Sequence, residues 1–189
     1  VGAEHRHVRG AVGVFDQSSF AKYEVSGPDA LKALDWICAG DVTKPVGRLT
    51  YTQLLNTRGG IEADLTVARL ADDRFYIVTG TGFRTHDRAW IAERVPAGSS
   101  VRIDDVTEAW GTLSLMGPKA RDALVKVTTA DVSNTAFPFA HVRDIDIAGV
   151  PVRALRVTYV GELGWELHVP IDRIGEVFTV ADCSSREKC

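Results

Sequence analysis

The sequence predicts an α+β fold, mainly antiparallel sheets with packed helices, and three observations carry that expectation. Short β-like runs alternate with short helix-like runs, and no Pro/Gly/Ser-rich linker divides the chain. Two of the β-like runs, Leu49–Leu55 and Ile61–Leu70, are joined by Asn56-Thr57-Arg58-Gly59-Gly60, which has hairpin chemistry. A strand, a Gly-Pro turn and a helix also occur twice in similar wording. Val25-Ser26-Gly27-Pro28-Asp29-Ala30-Leu31-Lys32-Ala33-Leu34 matches Leu115-Met116-Gly117-Pro118-Lys119-Ala120-Arg121-Asp122-Ala123-Leu124. The echo points to two similar modules and an old duplication; the plainer alternative is that strand-to-helix turns reuse Gly-Pro.

The elements follow in order. Glu4–Arg9 reads as a helix, broken at Gly10–Gly13 before a short apolar piece, Val14–Phe15. Ala21–Val25 alternates as a strand. Pro28 opens the next helix at no loss, because the N–H it lacks is unpaired in a first turn. Ala30, Leu31, Leu34 and Ile37 give that helix an apolar face. After the hairpin, Phe75–Thr79 is a strand entered through Asp72-Asp73, and Thr85–Arg94 is a helix that stops before Pro96. Val101–Val106 and Thr112–Met116 are strands, and Pro118–Val127 is a helix. Val142–Ile147, Val152–Tyr159 and Trp165–Val169 are strands, and Ile171–Val180 begins a last helix. Apolar periodicity then stops, so residues 181–189 read as a disordered or non-native tail on a truncated chain.

Composition narrows the function classes. Of the 189 residues 45% are apolar, enough to offset the entropy of ordering, which excludes low-complexity disorder. The net charge of −3, with 22 basic residues spread along the chain, leaves no basic stripe for nucleic acid. Apolar runs fall far short of the roughly 18 residues that a membrane span needs, and Val1–Arg9 holds no signal-peptide core, so no membrane partner is expected. Cys38, Cys183 and Cys189 are odd in number and lack CxxC spacing, so neither a disulfide framework nor a zinc site is expected, and the compartment is read as cytoplasmic. His5 and His7 fall on a surface helix while His86, His141 and His168 are isolated, so no metal site is expected either.

Familiar catalytic templates fail. The chain contains no GxSxG, Walker loop, HExxH or GxGxxG, and Gly80-Thr81-Gly82 lacks a third glycine and reads as a turn. Two segments remain. In the first, Tyr51 to Val67, a double glycine leads into a strand that begins Ile61-Glu62-Ala63-Asp64-Leu65. Period 2 puts Glu62 and Asp64 on one face and Ile61, Ala63 and Leu65 on the other. The bland reading is a solvated strand edge. The functional one is a carboxylate at the hairpin mouth, able to stabilise a cation or move a proton. In the second segment, Thr158-Tyr159-Val160-Gly161-Glu162-Leu163-Gly164-Trp165, glycines flank Glu162 with Tyr159 and Trp165 nearby. This is either a hairpin turn with an exposed Glu or a site for a flat heterocycle such as a pterin. A carboxylate accepts paired N–H bonds from a guanidine-like edge, and aromatic faces supply stacking area.

These segments resemble the signatures of the glycine-cleavage T-protein (aminomethyltransferase) family. The resemblance spans nearly all of residues 4–180, including Phe15-Asp16-Gln17-Ser18-Ser19-Phe20, Ser26-Gly27-Pro28, Tyr51-Thr52, Leu55-Asn56, Gly59-Gly60, Asp64-Leu65, Asp87 with Trp90, and Tyr159-Val160-Gly161-Glu162. The wording Ile61-Glu62-Ala63-Asp64-Leu65-Thr66-Val67 and Gly161-Glu162-Leu163-Gly164-Trp165-Glu166-Leu167 is closer to the folate-binding half of the dimethylglycine and sarcosine dehydrogenases.

The resemblance implies a T-protein-like folate-binding domain, partial over residues 1–180. The function it implies is acceptance by tetrahydrofolate of a one-carbon unit from an N-methyl amine, giving 5,10-methylenetetrahydrofolate. The partners implied are folate, a small methylated amine and a possible flavin dehydrogenase domain or subunit; FAD is expected only with an upstream flavin domain. Residue by residue, Glu162 matches the pterin-binding glutamate and Tyr159 the tyrosine before it, while Tyr51, Leu55 and Leu65 match the folate-lining region. The family usually carries two adjacent aspartates after the double glycine. Here the first position is Ala63 and only Asp64 is kept, so Asp64 is the expected catalytic carboxylate, with Glu62 or proximity alone as alternatives. The family also continues past residue 180, and a basic residue in that later part helps hold folate. The alternative functions are a stand-alone glycine-cleavage aminomethyltransferase and a non-catalytic folate-binding module.

Overall fold

The computed structural model describes residues 1–185. In order, the elements are α1 Gly2–Gly10, β1 Gly13–Asp16, β2 Ala21–Ser26, α2 Ala30–Ile37, β3 Leu49–Leu55, β4 Ile61–Ala71, β5 Arg74–Thr79, α3 Arg84–Arg94, β6 Arg102–Asp105, β7 Trp110–Met116, α4 Ala120–Leu124, β8 Val142–Ile147, β9 Val150–Leu155, β10 Gly164–Pro170 and α5 Ile174–Ser185. The chain separates into two compact units: a first one of Val1–Ser18 with the chain from Glu108 onward, and a second one of Ser19–Thr107.

Each unit is built on a five-stranded sheet, and the pairing throughout is antiparallel. The second unit has the order β3-β4-β5-β2-β6, and the first, taken from β8, has β8-β9-β10-β7-β1. β8, β9, β10 and β7 thus occupy the places of β3, β4, β5 and β2. α3 and α5 each follow a 3-10 turn, Thr81–Phe83 and Ile171–Arg173. The repeated wording around Gly27-Pro28 and Gly117-Pro118 is therefore the visible part of a topological repeat that runs through both units.

The turn itself explains why the wording persists. Gly27 and Gly117 have φ of +127° and +140°, and a Cβ on either would lie 2.3 Å from a backbone oxygen, of Ser100 and of Ala11 respectively. Only glycine fits such a position. From there the chain enters a helix in the same way, with Ala30 N–H donating to the Gly27 carbonyl and Ala120 N–H to that of Gly117.

Packing follows the periodicities. α2 buries Ala30, Ala33, Leu34 and Ile37, and β4 buries Ala63, Leu65 and Val67 against Tyr23, Leu34, Phe75, Ile77 and Ile91. In the first unit, Leu113, Leu115, Leu124, Phe137, Val152, Trp165 and Leu167 form the corresponding core.

Three elements depart from expectation. α4 ends at Leu124, short of Val127: the amides of Lys126 and Val127 reach back only three residues, to Ala123 and Leu124, as β-branched Val125, Val127 and Thr128 disfavour further α-turns. β9 ends at Leu155, so Thr158 and Tyr159 belong to a loop and not to a strand. The expected tail at 181–189 does not hold for 181–185. α5 runs to Ser185 with Ala181 and Ser184 buried, and Lys126 Nζ donates to the Ser184 carbonyl at 3.1 Å, satisfying an acceptor of the last turn. The remaining residues, 186–189, lie outside the described ones. Cys38 is a free thiol. Among the described residues no helix is long and apolar enough to cross a membrane.

Candidate functional site

In the second unit, the β3–β4 hairpin presents Asp64. The turn is organised by Asn56, whose Oδ1 accepts the amides of Arg58 and Gly60 at 2.9 Å each and whose Nδ2 donates to Glu62 Oε1 at 2.7 Å. Gly59 has φ +80°, and a Cβ on Gly60 would meet Asn56 Nδ2 at 2.8 Å. The double glycine thus lets one Asn side chain close the turn and hold a carboxylate. Alternation then places Glu62 and Asp64 on the face away from the core. Tyr51, on the neighbouring strand, donates its hydroxyl to Asp64 Oδ2 at 2.5 Å, and this bond holds the Tyr51 phenol above the ordinary tyrosine range.

The expected lining residues divide. Tyr51 and Leu55 are exposed, at 65% and 43%, beside the Asp64 face. Leu65 is not: it is 2% exposed and packs in the core between Ala63 and Val67. Its side chain therefore does not share the face of Asp64, because the period-2 alternation that turns Asp64 outward turns Leu65 inward.

Next to this hairpin lies a cluster that sequence reasoning missed by treating His86 as isolated. Asp87, 1% exposed, accepts from Thr79 Oγ1 at 2.5 Å and contacts His86 Nδ1 at 2.9 Å. His86 Nε2 faces Glu62 Oε2 at 3.8 Å, and the ring stacks on Trp90 with centroids 6.2 Å apart. The available signals were the His-Asp pair at the start of a helix and the i,i+4 aromatic Trp90.

In the first unit, the loop between β9 and β10 carries Tyr159 and Glu162. Asn134 Oδ1 accepts from both Arg121 Nη2 and Arg156 Nη2 at 2.6 Å, and both guanidiniums lie over the Trp165 ring, at 5.6 and 5.5 Å. Burial and the nearby Arg121 charge lower the Arg156 pKa. At the far end Gly164 packs against Met116, and the Leu163 carbonyl accepts from Gly117 N–H. Between these anchors Tyr159 is 79% exposed. Glu162 pairs with Arg9 of α1, a partner 153 residues away that the sequence did not disclose. Trp165 is fully buried against Phe137, so the stacking surface expected of it is not available and Tyr159 alone offers an open aromatic face here.

Elsewhere, His168 is buried and contacts Thr112 Oγ1 at 3.1 Å. Among the described residues no group of three or more His, Cys, Asp or Glu is placed to hold a metal ion. A cavity of about 840 Å³ in the first unit, bordered by Arg6, His7, Lys119 and Lys126, includes none of the expected site residues.

A family model described as the GCVT N-terminal domain matches residues 1–180. The chain is 42% identical over 176 residues to a mitochondrial sarcosine dehydrogenase of Homo sapiens, covering 86% of this chain and 19% of that protein. It is 40% identical over 169 residues to a mitochondrial dimethylglycine dehydrogenase of Rattus norvegicus, covering 89% and 20%. The chain therefore spans about a fifth of the length of these relatives. A crystal structure of the glycine cleavage system aminomethyltransferase T from Bartonella henselae superposes with a TM-score of 0.83 at 28% identity, covering 95% of this chain and 47% of that one.

Proposed function

The chain belongs to the GCVT N-terminal domain family, and on that premise we propose that it accepts a one-carbon unit from an N-methyl amine onto tetrahydrofolate. It is an aminomethyltransferase-type domain related to the sarcosine and dimethylglycine dehydrogenases. The finer assignment of reaction and residues is our reading. Tetrahydrofolate, when bound, supplies two nitrogens that take up the carbon as 5,10-methylenetetrahydrofolate. Taken unit by unit, the residues present suit such a ligand: in the second unit an exposed carboxylate with a phenol bonded to it, and in the first an exposed tyrosine in the same loop as a second carboxylate.

In this reading Glu162 accepts N–H bonds from the pterin edge, charge-assisted and hence strong, and Tyr159 stacks on the ring. In the second unit Asp64 would be the carboxylate whose charge stabilises a cationic carbon, and the Tyr51 hydroxyl fixes that carboxylate. Leu55 contributes apolar lining. An amine-oxidising flavin domain or subunit is the implied source of the carbon. No glycine-rich dinucleotide fingerprint occurs in this chain, and no residue of it is assigned to FAD.

The observation that carries the reading is the Tyr51–Asp64 bond on the open face of the hairpin that Asn56 closes. It is tested by Asp64→Ala in the full-length gene product. Formation of methylenetetrahydrofolate is expected to slow while reduced-folate binding stays nearly unchanged. Equal rates in variant and parent would remove Asp64 from the chemistry. Tight folate binding without turnover in the parent would leave only a binding module.

A further inference from the structure

We propose that Glu62, His86 and Asp87 form a proton-holding array for the transfer, with His86 between a buried carboxylate and a solvent-facing one. The inference rests on the folate reading above and deepens it.

Asp87 is fully enclosed, and its two oxygens are taken by the Thr79 hydroxyl and by His86 Nδ1. A carboxylate only accepts, so Nδ1 carries the proton of that bond. The other ring nitrogen, Nε2, is thereby directed at Glu62 Oε2. With Nδ1 engaged by Asp87, Nε2 is the ring nitrogen placed to exchange a proton with Glu62. The 3.8 Å separation is ion-pair range and longer than a hydrogen bond, a spacing that commonly tightens when a ligand binds.

The surroundings fix the ring and the carboxylate independently. Trp90 stacks on the His86 ring and Phe83 meets its edge at 6.5 Å. Asn56 Nδ2 holds the remaining oxygen of Glu62. The charged and titratable groups around the array are Asp64 on the same face of β4, and Tyr23, which feels the charges of Asp87, Asp105, Arg84 and Arg88.

The chemistry asks for such a store. Forming two C–N bonds to the methylene carbon and breaking both bonds between that carbon and the iminium nitrogen frees two protons from the acceptor nitrogens. The leaving amine gains two. Nothing is oxidised or reduced, and no net proton is consumed, so a group that takes up a proton and returns it is sufficient. Asp64 is then left to face the cation while Glu62 and His86 carry the proton in transit.

The test uses the full-length gene product and His86→Gln, Glu62→Gln and His86→Ala. Without any substrate, ring-nitrogen NMR is expected to show the His86 proton on Nδ1, and Glu62→Gln is expected to move the Nε2 resonance. An Nε2 signal indifferent to Glu62→Gln, or a proton found only on Nε2, overturns the array. In turnover, His86→Gln is expected to lower kcat at least tenfold with KM for folate within twofold, and added imidazole to restore part of the rate of His86→Ala. An active parent with unchanged kcat in His86→Gln overturns this inference alone; a parent with no folate-dependent turnover overturns the folate reading and this inference with it. Should the His86 variants fail to fold, Glu62→Gln carries both measurements.

Discussion

Tyr51 reaches Asp64 diagonally across the β3–β4 ladder, since Tyr51 is registered with Thr66 and Asp64 with Gln53. A long aromatic side chain spans such a diagonal, and the bond that results raises the pKa of Tyr51. The contact therefore persists through the ordinary tyrosine range and is lost as pH rises through the raised value. Asp64→Asn is expected to bring Tyr51 ionisation back toward about pH 10, read as phenolate absorbance on alkaline titration. An unshifted titration would mean that the two side chains do not bond in solution.

The repeated turns make a stability prediction. Gly117→Ala adds a Cβ 2.3 Å from the Ala11 carbonyl oxygen at a φ of +140°. Residues held in such backbone regions cost on the order of 1–3 kcal/mol, and the steric contact adds to that. Urea unfolding is expected to show a loss of about 2 kcal/mol or more, and Gly27→Ala should behave alike because its turn has the same geometry.

Cys38 predicts an alkaline limb. Burial first, then the charge of Asp35, pushes its thiol up from 9.0 to about 12. Between those values the unfolded chain has released the proton and the folded one has kept it, so stability falls as pH rises. The slope contributed is at most about 1.4 kcal/mol per pH unit. Denaturant titrations from pH 8 upward are expected to show this limb reduced in Cys38→Ala, and the native thiol should react slowly with thiol reagents that label the unfolded chain at once.

Arg9 and Glu162 make a partly exposed ion pair, with side-chain exposures of 59% and 16%. A pterin edge bound by Glu162 has to displace that guanidinium. Exposed pairs are worth about 0–1 kcal/mol, so Arg9→Ala is expected to raise reduced-folate affinity by up to about fivefold. A loss of affinity instead would place Arg9 on the ligand's side.

What was legible in the sequence was local. Gly27-Pro28 and Gly117-Pro118, the Asn56–Gly60 turn and the alternation of Glu62, Ala63, Asp64 and Leu65 each follow from steric rules that act within a few residues. The outward turn of Asp64 was read correctly, yet the same alternation already put Leu65 in the core. What was missed depends on pairing across the chain. His86 and Asp87 become a cluster only because β4 pairs with β5, bringing Glu62 and Thr79 toward the start of α3. Arg9 meets Glu162 only because β1 and β10 flank β7 in one sheet. The continuation of α5 through Ser185 was hidden because its last turn is held by Lys126, which lies outside the helix.

Calorimetric titration of the full-length gene product with tetrahydrofolate, parent against Glu162→Ala, tests folate binding and Glu162 as its pterin acceptor most directly. A hydrogen bond to a charged group is worth about 1.5–3 kcal/mol, so the prediction is saturable binding in the parent, weakened roughly 10- to 150-fold in the variant. Equal dissociation constants in the two proteins, or no saturable binding in the parent, would contradict it.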